Sequence, residues 1–248
     1  MTAYRGATAA GVFTNTVFGF LLVYVLLAVY RERDEVGGFD VVDAVTFTFV
    51  AQALIMVVGL FGDSEMAERI RTGDVVADLF RPVDLQLWWA AVAYGKAGFY
   101  ALFRGIPPFL IGVAVFEVRM PPAGAWPWFV ASVLAAVAVA FGWRFLLALS
   151  AFWLLDDRGA SSLGLLVAVF MSGLFVPVVF FPGWLESLAR ALPFASMLQV
   201  PVEVFLGKHR GADVHRVVAV QCAWALVLAG AGRSVLSRAV RRVVVHGG

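Results

Sequence analysis

The residues suited to phosphate chemistry in this chain are two Gly-Lys pairs, Gly95-Lys96 and Gly207-Lys208. A phosphate-binding loop needs the pattern G-x-x-x-x-G-K-[S/T], in which backbone amides and the lysine surround the phosphates. Neither pair is followed by Ser or Thr, and neither has a glycine five residues before its own glycine. We therefore expect that this chain does not hydrolyse ATP by itself.

Metal and nucleophile chemistry have no better support in the sequence. No group of His, Cys and carboxylate residues has the spacing of metal ligands. The histidines, His209, His215 and His246, lie near loops or in the tail and are interpreted as solvated. Cys222 stands in an apolar run and is interpreted as a small buried hydrophobic residue. We expect no catalytic residue, no metal, no cofactor bound by this chain, and no enzyme activity.

Three cations lie inside apolar segments. Lys96 and Arg104 are eight residues apart, roughly 80° around a helix, so they share a broad face with Tyr100. A charge at mid-bilayer is costly and is usually buried, paired or functional. Two interpretations stay open: both side chains snorkel toward the interface, or both transmit motion from a partner. Arg144 has the option of pairing with a carboxylate elsewhere.

Uncharged polar side chains occur on the first two apolar segments. They either line a substrate path or form hydrogen bonds between helices. Aromatic side chains would suit an amphipathic or cationic substrate, but they also suit packing against lipid or core. The substrate-path hypothesis names Thr14, Phe18, Thr48, Gln52, Phe170 and Phe175.

Composition identifies the class of protein. The chain is 62% hydrophobic and 15% charged, with a mean hydropathy of +0.88, whereas soluble domains are about 45–50% apolar and about 25% charged. We therefore predict an all-α polytopic membrane protein with a single transmembrane domain over residues 1–248. The 248 residues have room for about six spans of roughly 20 residues each.

The apolar segments predict six transmembrane helices. The third contains Pro107-Pro108, where we expect a kink. The segment 181–207 is apolar but broken by prolines and charges, which predicts short helices that dip into the membrane or lie on it. The arginines near the C-terminal end of the last span place both termini in the cytoplasm. The predicted spans cover about residues 9–30, 44–62, 88–117, 126–155, 161–180 and 214–232.

Residues 63–84, DSEMAERIRTGDVVADLFRPVD, form the longest polar stretch of the chain. Such a run of charges does not sit in hydrocarbon, so it must be a loop on one face of the bilayer. Asp63 or Ser64 is suited to cap a first short helix, and Gly73 is suited to end it. The loop is therefore expected to be folded.

A second short helix is predicted after Gly73. Asp74 is suited to cap it, Arg81-Pro82 to end it, and Asp84 to cap the helix that follows. Its apolar side chains are expected on one side of the helix. Two interpretations stay open: that side contacts a partner, or it lies on the bilayer. These side chains are Val75, Val76, Leu79 and Phe80.

The segment ERIRTGDVVADLFRPVD resembles a stretch in one branch of the ABC type-2 membrane permeases. There, Ile-Arg-x-Gly-Asp is followed by Leu-x-Arg-Pro-x-Asp after the second span. The segments PFLIGVAVF, FFPGWLESLARALPF, VPVEVFLG and RRVVVHGG also look like that branch and occur in the same order. The resemblance covers nearly the whole chain, although the part before the first span is shorter than the usual lead-in helix.

The resemblance implies a half-transporter. Two permease chains, identical or homologous, would pair in the lipid bilayer, and each would dock on one of two cytoplasmic ATPase subunits that bind ATP and Mg. The loop 63–84 would be the coupling helix, and the segment 181–207 a re-entrant helical hairpin that closes the external end of the pathway. The implied coupling residues are Glu65, Glu68, Arg69, Arg71, Gly73, Asp74, Asp78, Arg81, Pro82 and Asp84, and the implied external gate is Phe181, Pro182, Leu192, Pro193 and Phe194.

The function expected from the resemblance is ATP-driven export of an amphipathic small molecule, such as a drug, an antibiotic or a lipid-like compound, across the bacterial cytoplasmic membrane. Three alternatives stay open: an ABC system that moves lipid or polysaccharide, an ATP-independent secondary transporter or channel, and a membrane scaffold or sensor. A secondary transporter favours broken helices in corresponding positions of two halves, which the sequence does not contain. No nucleic-acid partner is expected.

Overall fold

The computed structural model of the chain describes residues 2–61, 65–154 and 158–246. Within these ranges the chain is helical, and its one β-type pairing is an isolated bridge between Val36 and Phe39. The predicted all-α class is therefore confirmed. The α-helices are α1 (Thr2–Val29), α2 (Val41–Val58), α3 (Glu65–Thr72), α4 (Val75–Leu79), α5 (Leu85–Tyr100), α6 (Ile106–Val115), α7 (Trp126–Leu149), α8 (Arg158–Met171), α9 (Gly183–Ala191), α10 (Gln199–Phe205) and α11 (Ala212–His246).

Five helical segments of the described residues are long and apolar enough to cross a membrane. The predicted fifth span, 161–180, overlaps α8, whose 14 residues reach only about 21 Å, less than the ~30 Å hydrocarbon core. The count of six spans therefore stays a prediction. The five segments are Thr8–Val29, Val41–Val58, Leu85–Val115, Ala123–Phe152 and Ala212–Arg241.

Helix α2 is the most buried of the five segments. Its N-terminus is capped by Asp40, whose carboxylate accepts a hydrogen bond of 2.7 Å from the backbone amide of Asp43. Its C-terminus is closed by Gly59 in the left-handed conformation (φ +72°), whose amide donates to the carbonyl of Ile55. Because glycine adopts this conformation without steric cost, the helix stops at a defined residue.

A π-helical turn, Ala101–Gly105, joins α5 to α6 directly before Pro107-Pro108. Prolines have no amide hydrogen, so carbonyls one turn earlier lose their usual donors, and a wider turn relieves the clash with the rings. The distortion predicted at the prolines therefore takes this form. Gly105 lies close to the carbonyl oxygen of Ala53 on α2, where an added Cβ would come within 2.8 Å.

Helices α7 and α11 pack closely along their lengths. A Cβ on Gly142 of α7 would lie 2.7 Å from Cβ of Leu228 on α11, so the glycine permits the close approach. Near the other end, Ser132 donates a hydrogen bond of 2.8 Å to the buried side chain of Gln221. Gln221 in turn donates to the carbonyl of Ser196 at 2.8 Å, which fixes the segment 181–207 against this helix pair.

The segment 181–207 forms the short helices α9 and α10, joined by a buried stretch. Phe194 packs edge-on against Trp143, at 5.0 Å between ring centroids. Trp143 lies about 25 Å along α7 from Trp126, at 1.5 Å per residue, whereas Phe205 at the end of α10 packs against Trp126 itself. The segment therefore runs deep beside α7 and returns. Its function as a re-entrant hairpin stays a prediction.

Candidate functional site

The loop between α2 and α5 is a folded unit attached to the helices. One face of α3 and the first residue of α4 are buried in a small apolar core with the start of α5 and the end of α7. Burial of apolar side chains stabilises such a short helix more than its own hydrogen bonds do. The members of this core are Met66, Ala67, Ile70, Val75, Leu85, Phe145, Ala148 and Leu149.

An ion pair locks α3 to α4. Arg69 donates two hydrogen bonds to the carboxylate of Asp78, from Nε at 2.5 Å and from Nη2 at 3.0 Å. This two-bond geometry is the strong form of an arginine–carboxylate contact, and the hydrogen bond to Asp78 raises the pKa of Arg69 above its ordinary value. Gly73 makes the turn between the helices at φ +85°. The pair therefore fixes the angle between α3 and α4.

One of the predicted caps in the loop is confirmed and one is wrong. Asp84 caps α5 by accepting from the amide of Leu87 at 3.0 Å. Asp74 has helical backbone angles and makes no side-chain cap, because its carboxylate accepts a hydrogen bond from Thr72 at 2.9 Å instead. Asp63 and Ser64, the residues suited to cap the first helix, lie outside the described residues.

The apolar side chains of α4 do not share one side, which corrects the sequence-based expectation. Val75 is buried and Leu79 half-buried, whereas Val76 and Phe80 point outward. Residues four apart share a helix face, so the pairs 75/79 and 76/80 lie on neighbouring faces and only the first joins the core. Phe80 is 83% exposed. A large aromatic side chain at this exposure is suited to contact another molecule.

Polar contacts connect the loop to α5 and α11. Glu65 accepts from Lys96 of α5 at 3.0 Å, and Asp84 pairs with Arg233 of α11 at 3.1 Å. In addition, Gln86 in the first turn of α5 donates to the carbonyl of Ala229 on α11 at 2.9 Å. A displacement of α3 or of the loop end would therefore act directly on two long helices.

The structure brings the ten predicted coupling residues together in this one unit. Besides the contacts above, Glu68 pairs with Arg71 at the surface, and Arg81 lies over the ring of Trp88 at 5.0 Å. Pro82 is exposed between Arg81 and the cap of α5. Their role in coupling stays a prediction.

The two cations of α5 and of the π turn diverge in their contacts. Lys96 reaches the loop through Glu65. Arg104 lies over Tyr100 at 5.4 Å and packs against α1, where a Cβ on Gly11 would come within 2.5 Å of its guanidinium. Both side chains thus have defined neighbours within the protein. The contact of Lys96 with the polar loop agrees with snorkelling toward the interface as well as with transmission of motion, so both interpretations stay open.

The predicted substrate-path residues lie on separate surfaces. Thr48 and Gln52 are buried on α2, and Thr48 donates to the carbonyl of Ala44 at 2.9 Å. Thr14 and Phe18 lie on the exposed face of α1. Asn15 of α1 donates a long hydrogen bond of 3.4 Å to the carbonyl of Gln52, which links the two helices.

An aromatic residue of the predicted substrate path contacts an aromatic residue of the predicted external gate. Phe170 at the end of α8 stacks on Phe181 at 5.2 Å between centroids and 15° between planes, which joins a predicted path residue to a predicted gate residue. Phe175 is exposed. The remaining predicted gate residues run from the surface inward: Pro182 is exposed, Leu192 is half-buried, and Pro193 and Phe194 are buried.

A buried charge cluster at the other end of the molecule was missed by the sequence analysis. Glu203 on α10 is nearly fully buried and accepts hydrogen bonds from Arg190 at 2.7 Å, from Gln199 at 2.9 Å and from His209 at 3.0 Å. Burial by itself raises the pKa of Glu203, but the hydrogen bond from His209 and the ion pair with Arg190 outweigh it and lower the pKa to about 2. Glu203 is therefore ionised at neutral pH.

The expectation that the histidines are solvated is wrong for His209. Its ring lies between Glu203 and Asp213, with Nδ1 at 2.5 Å from the Asp213 carboxylate. His215 is exposed and packs against Trp128, and the side chain of His246 lies outside the described part of the chain. Cys222 is exposed on α11 rather than buried.

A second cluster ties the start of α2 to two loops. The buried carboxylate of Asp43 pairs with Arg119 and with Lys208, and Lys208 also donates to the carbonyl of Gly38 at 2.7 Å. In both clusters the sequence signal is a carboxylate inside a mostly apolar stretch: Asp43 in this cluster and Glu203 in the first. Such residues are rarely buried without a partner, but the sequence does not say which partner.

Stability is expected to fall as the pH rises above about 6.5. The hydrogen bond to Glu203 raises the pKa of His209 above its ordinary value of 6.5, against the opposing effect of burial. A raised folded-state pKa means that this contribution is complete below the unfolded value and is lost as the pH rises through the folded value. Melting temperatures measured from pH 6 to pH 9 test this.

Replacing the imidazole separates this effect from other titrations. His209→Gln should flatten the decline above pH 6.5. His215→Gln is the matched control for loss of an imidazole outside this cluster, because Nδ1 of His215 bonds the carbonyl of Gly211 and not a carboxylate. An equal decline in wild type and His209→Gln would contradict the assignment.

Comparison with known proteins identifies one family. Residues 13–247 match the family described as ABC-2 family transporter protein. No curated protein and no solved structure matches the chain significantly. The matched range extends from the first half of α1 to the tail of α11, and so includes the loop unit and both charge clusters.

Proposed function

Because the chain belongs to the ABC-2 transporter family and is a permease component of ABC transporters, we propose that it exports an amphipathic small molecule by alternating access. The energy comes from ATP hydrolysed by a separate subunit. The substrate classes favoured by this proposal are drugs, antibiotics and lipid-like compounds. In this arrangement the permease is not an enzyme, since ATP and Mg are bound by the partner.

The observation that carries the proposal is the folded loop unit of α3 and α4. Its inner face is fixed to α5 and α7 by an apolar core, its two helices are locked by Arg69 and Asp78, and its outer face presents Phe80 to solvent. A rigid unit with an exposed aromatic anchor is suited to sit in a groove of a partner protein. We assign that partner as the ATPase subunit.

The contacts between the loop and the long helices supply a route for the stroke of the ATPase. Movement of α3 would pull on α5 through Glu65 and Lys96, and movement of the loop end would pull on α11 through Asp84 and Arg233. Gln86 in the first turn of α5 also joins these two helices, because it donates to the carbonyl of Ala229 in the middle of α11. The contact of Lys96 with Glu65 supports the interpretation that Lys96 transmits motion, and the set of contacts supports a role for the loop residues in coupling.

The assembly in this proposal has two permease chains and two ATPase subunits in the bacterial cytoplasmic membrane. The loop unit and both termini face the cytoplasm, where the ATPase is, so the segment 181–207 lies toward the outside. There the depth of Phe194 beside Trp143 and the stacking of Phe181 on Phe170 support a re-entrant hairpin that closes the exit.

The experiment compares wild type with a variant whose residues 65–81 are scrambled, each co-expressed with its ATPase and reconstituted in vesicles. We expect wild type to form a complex with the mass of two permeases and two ATPases, and to stimulate hydrolysis. The scrambled variant should lose that stimulation by about tenfold or more. Normal assembly and turnover with the scrambled loop would refute coupling, and transport without ATP would favour a secondary transporter or channel.

A further inference from the structure

A cavity of about 1040 Å³ lies between α2, α3, α5, α7 and α8. Ligand-binding cavities typically measure about 300–1,000 Å³, so this one has room for a drug-sized or single-chain lipid molecule. Its wall is predominantly apolar and includes two tryptophan rings. The apolar and aromatic lining residues on which the argument rests are Met56, Trp89, Phe141, Trp143, Leu165 and Met197.

Arg144 lines this cavity from α7, five residues before the last residue of the helix. Its guanidinium packs against Gly59 at the end of α2, where an added Cβ would lie 2.9 Å from Nη2. The missing side chain of Gly59 therefore makes the space that the guanidinium occupies.

Arg144 has no hydrogen-bond or ion-pair partner among residues 2–61, 65–154 and 158–246, and its buried Nε lacks an acceptor. The expectation that it pairs with a carboxylate is therefore not met within these ranges. The side chain as a whole is half-buried in the wall of the cavity, but a buried guanidinium nitrogen without an acceptor is unfavourable. An anionic occupant of the cavity would satisfy it.

The carboxylates at the wall of the cavity are already neutralised. Glu65 pairs with Lys96, and Glu68 pairs with Arg71. Neither carboxylate therefore opposes an anion with an uncompensated charge. The described wall also contains the cations Arg69 and Arg158, so its charge favours an anion, and Arg144 adds a buried Nε that lacks an acceptor.

We propose that this cavity binds an amphipathic organic anion, whose carboxylate or phosphate group accepts hydrogen bonds from Arg144 and whose apolar body lies against the tryptophan and leucine side chains. Guanidinium binds such groups through two parallel hydrogen bonds. If the occupant of this cavity is the exported substrate, the substrate is an anion. This inference rests on the proposed export function.

The test uses two probes with the same tail, dodecyl phosphate and dodecylphosphocholine, below their critical micelle concentrations. Binding to the purified permease in nanodiscs of neutral lipid is measured by equilibrium dialysis. We expect wild type to bind dodecyl phosphate at least about tenfold more tightly, the effect of one charge-assisted contact. Arg144→Gln should abolish this preference, and Arg238→Gln, the same change at an exposed site of α11, should keep it.

The empty protein gives an independent readout. If Arg144 is unpaired in the ligand-free protein, Arg144→Gln removes an unpaired charge and leaves the melting temperature unchanged or raises it. A lower melting temperature of Arg144→Gln would overturn the proposal, because Arg144 would then be satisfied within the chain. The carboxylates outside the described residues that would then pair with Arg144 are Asp63, Asp156 and Asp157.

A steric variant keeps the proposal testable if Arg144→Gln does not fold. Leu165→Trp fills apolar space in the cavity and leaves the guanidinium in place, so it should weaken dodecyl phosphate binding by about tenfold or more, as expected when a ligand-sized space is lost. Equal binding of both probes by wild type, or unchanged binding by Leu165→Trp, would overturn the site.

Two arms identify the source of the anion. In the first arm, native mass spectrometry detects phosphatidylglycerol bound to wild type and to Arg144→Gln. Lipid that stays bound to wild type only identifies a membrane lipid as the source of the anion. Stimulation of the ATPase by soluble dodecyl phosphate identifies a substrate taken up from solution. Failure of probe binding with intact ATPase coupling refutes this site alone, whereas intact binding with no coupling through the loop refutes the proposed function alone.

Discussion

Replacing Phe80 with alanine is expected to weaken binding of the ATPase subunit by about 30-fold, the equivalent of ~2 kcal/mol for an aromatic anchor at the centre of an interface. Phe80 is 83% exposed at the end of α4, and the ion pair of Arg69 and Asp78 fixes the short helix that carries it against α3. The backbone that carries the ring is therefore already ordered before a groove closes around it. Titration of labelled ATPase against the permease in nanodiscs measures the change.

The permease itself should be unaffected by this change, because Phe80 is not part of the apolar core under α3 and α4. Equal melting temperatures of wild type and Phe80→Ala check this point. Trp184→Ala is the matched control: Trp184 is an aromatic residue that is 71% exposed, but it lies on α9 in the segment 181–207, and its loss should not change ATPase binding.

The opposite result has a clear structural meaning. If Phe80→Ala binds the ATPase as tightly as wild type does, the ring rests on the bilayer rather than on a partner, which was the other interpretation of this apolar face. The outward position of Val76, which shares the face of Phe80, then provides the second contact with lipid. In that case the docking surface lies on the charged side of α3.

The breaks in the loop were predictable because they depend on neighbouring residues. Gly73 ends α3 through its own backbone angle, and Asp84 caps α5 through a hydrogen bond to an amide three residues away. Such signals act over one turn of chain and do not require the rest of the fold. The sequence therefore indicates two short helices correctly.

Which side of α4 faces inward was not predictable. The residues 75, 76, 79 and 80 are all apolar, so the sequence shows a broad apolar surface without marking its centre. The choice is made by Leu85 and Phe145, which complete the core from α5 and α7. Because Phe145 is distant in the sequence, its position follows only from the packing of the long helices.

The scatter of the substrate-path residues has a similar cause. Hydrophobic residues surround the membrane helices on every side, so periodicity does not distinguish the faces. Thr48 lies in the interior and Thr14 on an exposed face, although each donates to a carbonyl four residues earlier in its own helix. Residue type alone gives these two threonines the same interpretation, and only the packing separates them.

Replacing Glu203 with alanine is expected to destabilise the protein by about 3 kcal/mol, the lower end of the range for breaking a buried ion pair. The lower end applies because Arg190 keeps its second carboxylate partner, Glu186, at 2.9 Å, and His209 keeps Asp213. Gln199, however, loses its buried acceptor. Reversible unfolding in mixed micelles gives the free energy of unfolding.

Glu186→Ala is the control for this prediction, since it removes the same type of residue from the same arginine. Glu186 and Arg190 form a partly exposed pair one helical turn apart, and such pairs contribute about 0.3–0.5 kcal/mol. The difference between the two variants thus isolates burial. Equal losses would show that Glu203 is hydrated and that the cluster does not hold the segment 181–207.

A double variant at Arg190 and Glu203 tests whether their ion pair adds to the free energy of unfolding or only avoids a buried charge without a partner. Removing both charges, as in Arg190→Met with Glu203→Met, avoids taking one partner from a charge that remains in the cluster, so it should cost less than Glu203→Ala alone. If it does, the pair specifies how α9 meets α10 more than it stabilises them. Protection of the single Cys222 from a membrane-permeant thiol reagent, equal in wild type and the double variant, would show that α11 keeps its position while this contact is replaced.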